Sequence, residues 1–155
     1  MPDTCNWILT RKQYNDWVNN DSSGILWIYG IPGSGKSVLA SSIVDRLSSK
    51  SSFVPLLYFF CSSRNKNRRV SVHILRSLVF QLESQRPGLA DLVEAAYKAS
   101  TSKTADTFEQ LWELFERMVH ETKSLTCVVD GLDECLERND EGHWSAHFSL
   151  VGLLS

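Results

Sequence analysis

A three-layer α/β/α domain with a mainly parallel sheet is the fold class this sequence predicts, and three observations carry it. Short apolar runs of strand length, "ILWIY", "PLLYFF" and "LTCVVD", recur along the chain. Segments with apolar residues at i, i+3, i+4 spacing separate them. The runs are almost continuously apolar rather than alternating, as in parallel strands covered on both faces. Strands that alternate with helices argue for crossover connections and helices on both sides of the sheet.

From the N-terminus, "TRKQYNDWVNN" (10–20) predicts a short helix. Thr10 and Gln13 fit a capping box, and Tyr14, Trp17 and Val18 share one face. "NDSSG" (20–24) is a turn, so residues 1–24 read as a helical lead-in and 25–155 as the core. Residues 25–29 predict a buried strand. After a glycine-rich loop, Leu39, Ala40, Ile43, Val44 and Leu47 stripe a helix. Residues 55–60 predict a second buried strand. Ile74, Leu75, Leu78, Val79 and Leu82 keep helical rhythm until Pro87-Gly88, and Leu89, Leu92, Val93, Ala96 and Tyr97 resume it. "STSKTAD" (100–106) is a loop. Thr107 and Gln110 form a capping box for a helix whose inner face is Phe108, Leu111, Leu114, Phe115 and Met118. A third strand at 125–130 ends in an acid, and Trp144, Phe148 and Val151 suggest a last helix.

With 155 residues the chain is about one domain. Its 43% hydrophobic and 22% charged content is ordinary for a soluble domain. A net charge of −2 gives no case for nucleic acid or an acidic membrane as partner. No apolar run approaches a membrane span, and "MPDTCNW" lacks the features of a secretory signal, so a cytoplasmic location is expected. Cys5, Cys61, Cys127 and Cys135 show no metal spacing and read as reduced thiols, mostly buried. His143 and His147 are i, i+4 but lack a third ligand, so no metal site is expected there. "RNKNRR" (64–69) reads as a solvated loop. Trp7 and Trp17 read as packing residues of the first helix.

The chemistry concentrates in "GIPGSGKS" (30–37). Gly30, Gly35, Lys36 and Ser37 satisfy G-x-x-x-x-G-K-[ST], the phosphate-binding P-loop pattern, with Gly33 and Ser34 inside it and Val38 following. Glycines let backbone N–H groups curl inward around an oxyanion, and the following helix points its positive end at the same place. Lys36 adds a full charge for the β- and γ-phosphates, and the Ser37 hydroxyl suits Mg²⁺. The pattern matches by chance in ordinary turns, but here a strand-like and a helix-like flank stand on either side. Asp130 ends the third strand, where ligands of open α/β sheets bind, and suits Mg²⁺ through a water. Asp133 and Glu134 follow as candidates to orient or deprotonate an attacking water, or simply to complement a helix dipole.

"WIYGIPGSGKSVLASSIV" followed by "VVDGLDEC" resembles the NACHT nucleoside-triphosphatases of the STAND class, chiefly fungal receptor-like members with a nephrocystin-type NTPase domain. "TCNWIL…YNDWV" and "RNKNRRVSVHILRSLVFQL" are similar too, so the likeness runs from about Cys5 to Cys135. It implies an ATP-driven switch inside a larger protein, usually followed by repeats, with ATP-dependent self-association of the full-length protein. It implies Gly33 to Ser37 as phosphate-binding, Asp130 as the Mg²⁺ carboxylate, and Asp133 and Glu134 as the acidic pair. It also implies contacts with C-terminal subdomains and a sensor strand that this sequence stops short of, so the core is expected to be C-terminally incomplete and slow in hydrolysis. In that class the sensor strand lies between the P-loop strand and the acidic strand, whereas in many nucleotide kinases those two pair directly. The acidic strand is therefore expected beside 55–60 and about two strand spacings, roughly 10 Å, from 25–29.

Two rivals stand beside the switch. A small P-loop kinase needs arginines in a lid over the transferred phosphoryl group, and the late chain offers only Arg117 and Arg138. A binding-only module would hold nucleotide without turnover.

Overall fold

The computed structural model describes residues 4–20, 22–50, 53–62, 64, 71–99 and 107–134. They separate into two units, one running through Ser42 and one from Ile43 onward. Cys135, His143, Trp144, His147, Phe148 and Val151, the 100–106 loop and most of "RNKNRR" lie outside the described residues.

In the first unit a 3-10 turn, Asn6–Thr10, leads into helix α1, Lys12–Val18. Cys5, Ile8 and Tyr14 are its buried side chains before α2, and the Tyr14 and Trp17 rings sit 6.2 Å apart. Two expectations are corrected. Thr10 does not cap the helix: its hydroxyl donates to the Trp7 carbonyl at 2.8 Å within its own turn, and Arg11 holds the N-cap position with no side-chain bond. Trp7 is half exposed rather than packed, with the Arg11 guanidinium 5.7 Å from its ring centroid. That cation–π geometry needs an accessible ring face.

Residues 25–29 form no strand, and Ile25, Trp27 and Tyr29 are exposed, Tyr29 to 85%. The expected buried strand is therefore not realised. An apolar run becomes a strand only when a neighbour satisfies its backbone groups, and among the described residues the sheet consists of two other segments. Helix α2, Lys36–Ser49, follows the glycine loop and buries Leu39, Ala40, Ile43 and Val44, the stripe its spacing predicts.

The second unit holds that sheet. Strand β1, Leu56–Phe60, pairs in parallel with β2, Thr126–Asp130, in the register Leu56↔Thr126 to Phe60↔Asp130. The acidic strand thus lies beside 55–60, as the resemblance implies. Between the two strands run α3 (Ser71–Gln85), α4 (Ala90–Ala99) and α5 (Phe108–Thr122). Helix α3 packs on both β1 and α5, and α4 packs on α5. Ile74, Leu75, Leu78, Val79 and Leu82 of α3 bury one face, and Leu111, Leu114, Phe115 and Met118 of α5 another. Each such side chain contributes roughly 1.5–3 kcal/mol of hydrophobic stabilisation. A 3-10 turn at Pro87–Leu89 separates α3 from α4, because Pro87 cannot donate a helical N–H bond. Thr107 caps α5, its hydroxyl accepting from the Gln110 N–H at 3.3 Å.

The result is a mixed α/β arrangement with a small parallel sheet packed on helices. The strands are less buried than their composition predicts. Leu57 is fully enclosed in β1, but Tyr58 is exposed and all of β2 is half-buried. Two strands cannot cover one another's faces as a broad sheet does. No helix among the described residues is long and apolar enough to cross a membrane.

Candidate functional site

The loop at 30–37 is shaped by two glycines. Gly33 (φ 76°) and Gly35 (φ 86°) both take the left-handed conformation that a Cβ penalises. The Ser34 N–H donates to the Ile31 carbonyl at 3.2 Å, closing a turn, and α2 starts at once, with the Leu39 N–H donating to Gly35 at 2.9 Å. Gly30 is restricted differently: a Cβ there would stand 3.0 Å from the Ser34 hydroxyl. Alternating hand along a short backbone turns successive N–H groups to one side, the concave arrangement that suits an oxyanion.

Lys36 opens α2 and is half-buried. Its ammonium folds back over the loop, donating to the carbonyls of Gly30 at 2.8 Å and Ile31 at 3.1 Å. Ser37 and Val38 follow in the first helical turn, both exposed, where backbone N–H groups lack intrahelical acceptors. The cation, the free amides and the glycine turns therefore lie within eight consecutive residues. Such a cluster can hold a multiply charged phosphate without help from buried side chains.

The acids lie in the second unit. Asp130 ends β2 opposite Phe60, half-buried, and its carbonyl accepts from the Cys61 N–H at 2.9 Å. Gly131 then turns left-handed (φ 71°), and a Cβ on it would meet the Cys61 carbonyl oxygen at 3.3 Å. A 3-10 turn at Leu132–Glu134 follows, with the Glu134 N–H donating to Gly131 at 2.8 Å and with Asp133 and Glu134 exposed. Gly131 was not among the predicted site residues, yet it ends the strand and starts the acidic turn. The Asp-Gly dipeptide is the sequence signal for it. No group of three metal-ligating side chains occurs among the described residues, and none of Cys5, Cys61 and Cys127 is in a disulfide.

A parallel α/β domain with a glycine–lysine loop opening one helix and an acid closing one strand is the class these features define. Within that class, the chain belongs to the family of the nephrocystin 3 N-terminal domain, whose model matches residues 3–151. It is also 29% identical over 141 residues to the vegetative incompatibility protein HET-E-1 of Podospora anserina, an alignment covering 88% of this chain. The chain spans about a tenth of that relative's length, 10% of it. No solved structure matches.

Proposed function

We propose that this chain is an ATP·Mg²⁺-binding regulatory NTPase module of the NACHT/STAND kind, part of a larger cytoplasmic signalling or receptor-like protein. The conformation of the 30–37 loop carries the proposal, with left-handed Gly33 and Gly35 and the Lys36 ammonium turned onto loop carbonyls. Two uncharged carbonyl acceptors are what a phosphate would replace, and a fully charged phosphate oxygen attracts the ammonium more strongly than a carbonyl dipole does.

In this reading the backbone of Gly30 and of Gly33 to Val38 receives the phosphates, with Ser34 setting the turn. Lys36 neutralises their charge. Ser37 and Asp130 carry the Mg²⁺ roles that their motifs predict, the first by hydroxyl and the second by carboxylate. Bound Mg²⁺ would supply charge neutralisation at the phosphate oxygens. Asp133 and Glu134, exposed on their turn, are suited to orient a water or accept its proton. The family match and an alignment with 10% of the fungal relative's length support a module within a longer chain.

The kinase alternative pairs the acidic strand with residues 25–29, a segment that forms no strand here, so turnover decides between the two. The test is titration with a fluorescent ATP analogue, with and without Mg²⁺, followed by turnover assays with small hydroxyl acceptors. Saturable Mg²⁺-dependent binding, with slow ADP release that acceptors do not accelerate, is expected. Absence of binding rejects the proposal, and phosphate transfer to an acceptor establishes the kinase.

A further inference from the structure

The outer edge of β1, the side facing away from β2, is occupied by side chains of α3. Thr126 donates to the Pro55 carbonyl and Cys61 to the Asp130 carbonyl, so alternate residues 55, 57, 59 and 61 turn toward β2. Leu56 and Tyr58 therefore present their backbone groups to the open side. There the Gln85 amide closes on Leu56, Oε1 accepting from its N–H at 3.0 Å and Nε2 donating to its carbonyl at 2.9 Å. Gln81 does the same to Tyr58, at 3.0 and 2.9 Å. Each amide thus makes the two-bond exchange that a residue of an antiparallel neighbour would make.

The match repeats because the two periods agree. Four residues of helix rise about 6.0 Å and two residues of strand about 6.6 Å, so glutamines one turn apart meet alternate strand residues. The side chains are themselves held, Gln81 Nε2 by the Ser77 hydroxyl at 3.0 Å and Gln85 Nε2 by the Gln81 carbonyl at 3.1 Å.

We infer that Gln81 and Gln85 serve as a surrogate strand that closes the outer edge of β1 against pairing with a second copy of this chain. An unpaired edge carries free donors and acceptors in strand register and recruits other edges. Here four such groups are already used, and β1 can accept no further strand until both amides leave. Growth of the sheet is thereby confined to the β2 side.

Gln81→Met with Gln85→Met tests this, since methionine keeps length and helix propensity but cannot make these bonds. Sedimentation across a concentration series and amide hydrogen exchange are read on wild type and variant. The double variant should show a mass that rises with concentration beyond that of wild type. Exchange at Leu56 and Tyr58 should accelerate about tenfold or more in dilute samples, with Leu57 and Phe59 less affected. A mass distribution identical to wild type, or unchanged exchange at Leu56 and Tyr58, overturns the inference. Should the double variant lose its helical signal, Gln85→Met alone decides: faster exchange at Leu56 with new self-association supports edge closure, and either one missing refutes it.

Discussion

Lys36 donates to two carbonyls of its own loop, and the glycines beside it supply the backbone shape. Nothing lies within 4 Å of a Cβ added at Gly33 or Gly35, so substitution there meets only backbone strain. Gly33→Ala and Gly35→Ala should each cost about 1–2 kcal/mol in urea unfolding, and both should weaken nucleotide binding. A loop that tolerates alanine with full binding would remove the glycine argument. The acids should separate by role. Asp130→Asn is expected to weaken Mg²⁺-dependent binding, while Glu134→Gln leaves affinity unchanged and lowers any ATP turnover; equal loss of affinity in both would contradict the assignment. The glycine positions were legible because the motif states which residues need a positive φ. The inward turn of Lys36 was not, since a charge in a sequence carries no direction, and Gly131 was hidden inside an acidic motif whose carboxylates draw the eye.

Helices were read more accurately than strands, for a physical reason. The stripes of α3 and α5 recur over two to three turns and bury on the faces their spacing predicts. Residues 25–29 are five apolar residues with no period to arbitrate, and strand formation depends on a partner that local sequence does not name. Two similar capping boxes came out differently. Thr107 caps α5, whereas Thr10 is committed to a preceding turn, so Thr107→Ala should destabilise by about 1 kcal/mol and Thr10→Ala by clearly less in the same thermal assay. On β2, burial pushes the Cys127 thiol from 9.0 up to about 12. The folded state keeps this proton where the unfolded chain releases it. Its contribution is therefore intact below pH 9 and is lost as pH rises from 9 toward 12, by up to about 1.4 kcal/mol per pH unit. Urea midpoints at pH 8 and pH 10 should fall more steeply for wild type than for Cys127→Ala. Parallel slopes would mean that the thiol is accessible.

At the scale of the molecule, the family match covers nearly the whole chain, and the chain aligns with 10% of the fungal relative's length. The parallel pairing of β1 with β2 was legible only through resemblance, because a crossover of this length leaves the order of strands open to composition and periodicity. The glycine loop, by contrast, was legible from eight residues. A regulatory NTPase module needs, before anything else, a loop that holds triphosphate through Lys36. Thermal unfolding of wild type and Lys36→Ala, each with and without ATP·Mg²⁺, tests that requirement directly. Wild type should gain RT ln(1 + [L]/Kd), about 2.7 kcal/mol at a hundredfold excess over Kd. Lys36→Ala should unfold within about 2 kcal/mol of wild type when free, having lost two exposed hydrogen bonds, and should gain nothing from nucleotide. Equal stabilisation of the variant and wild type would contradict the assignment of this loop to phosphate.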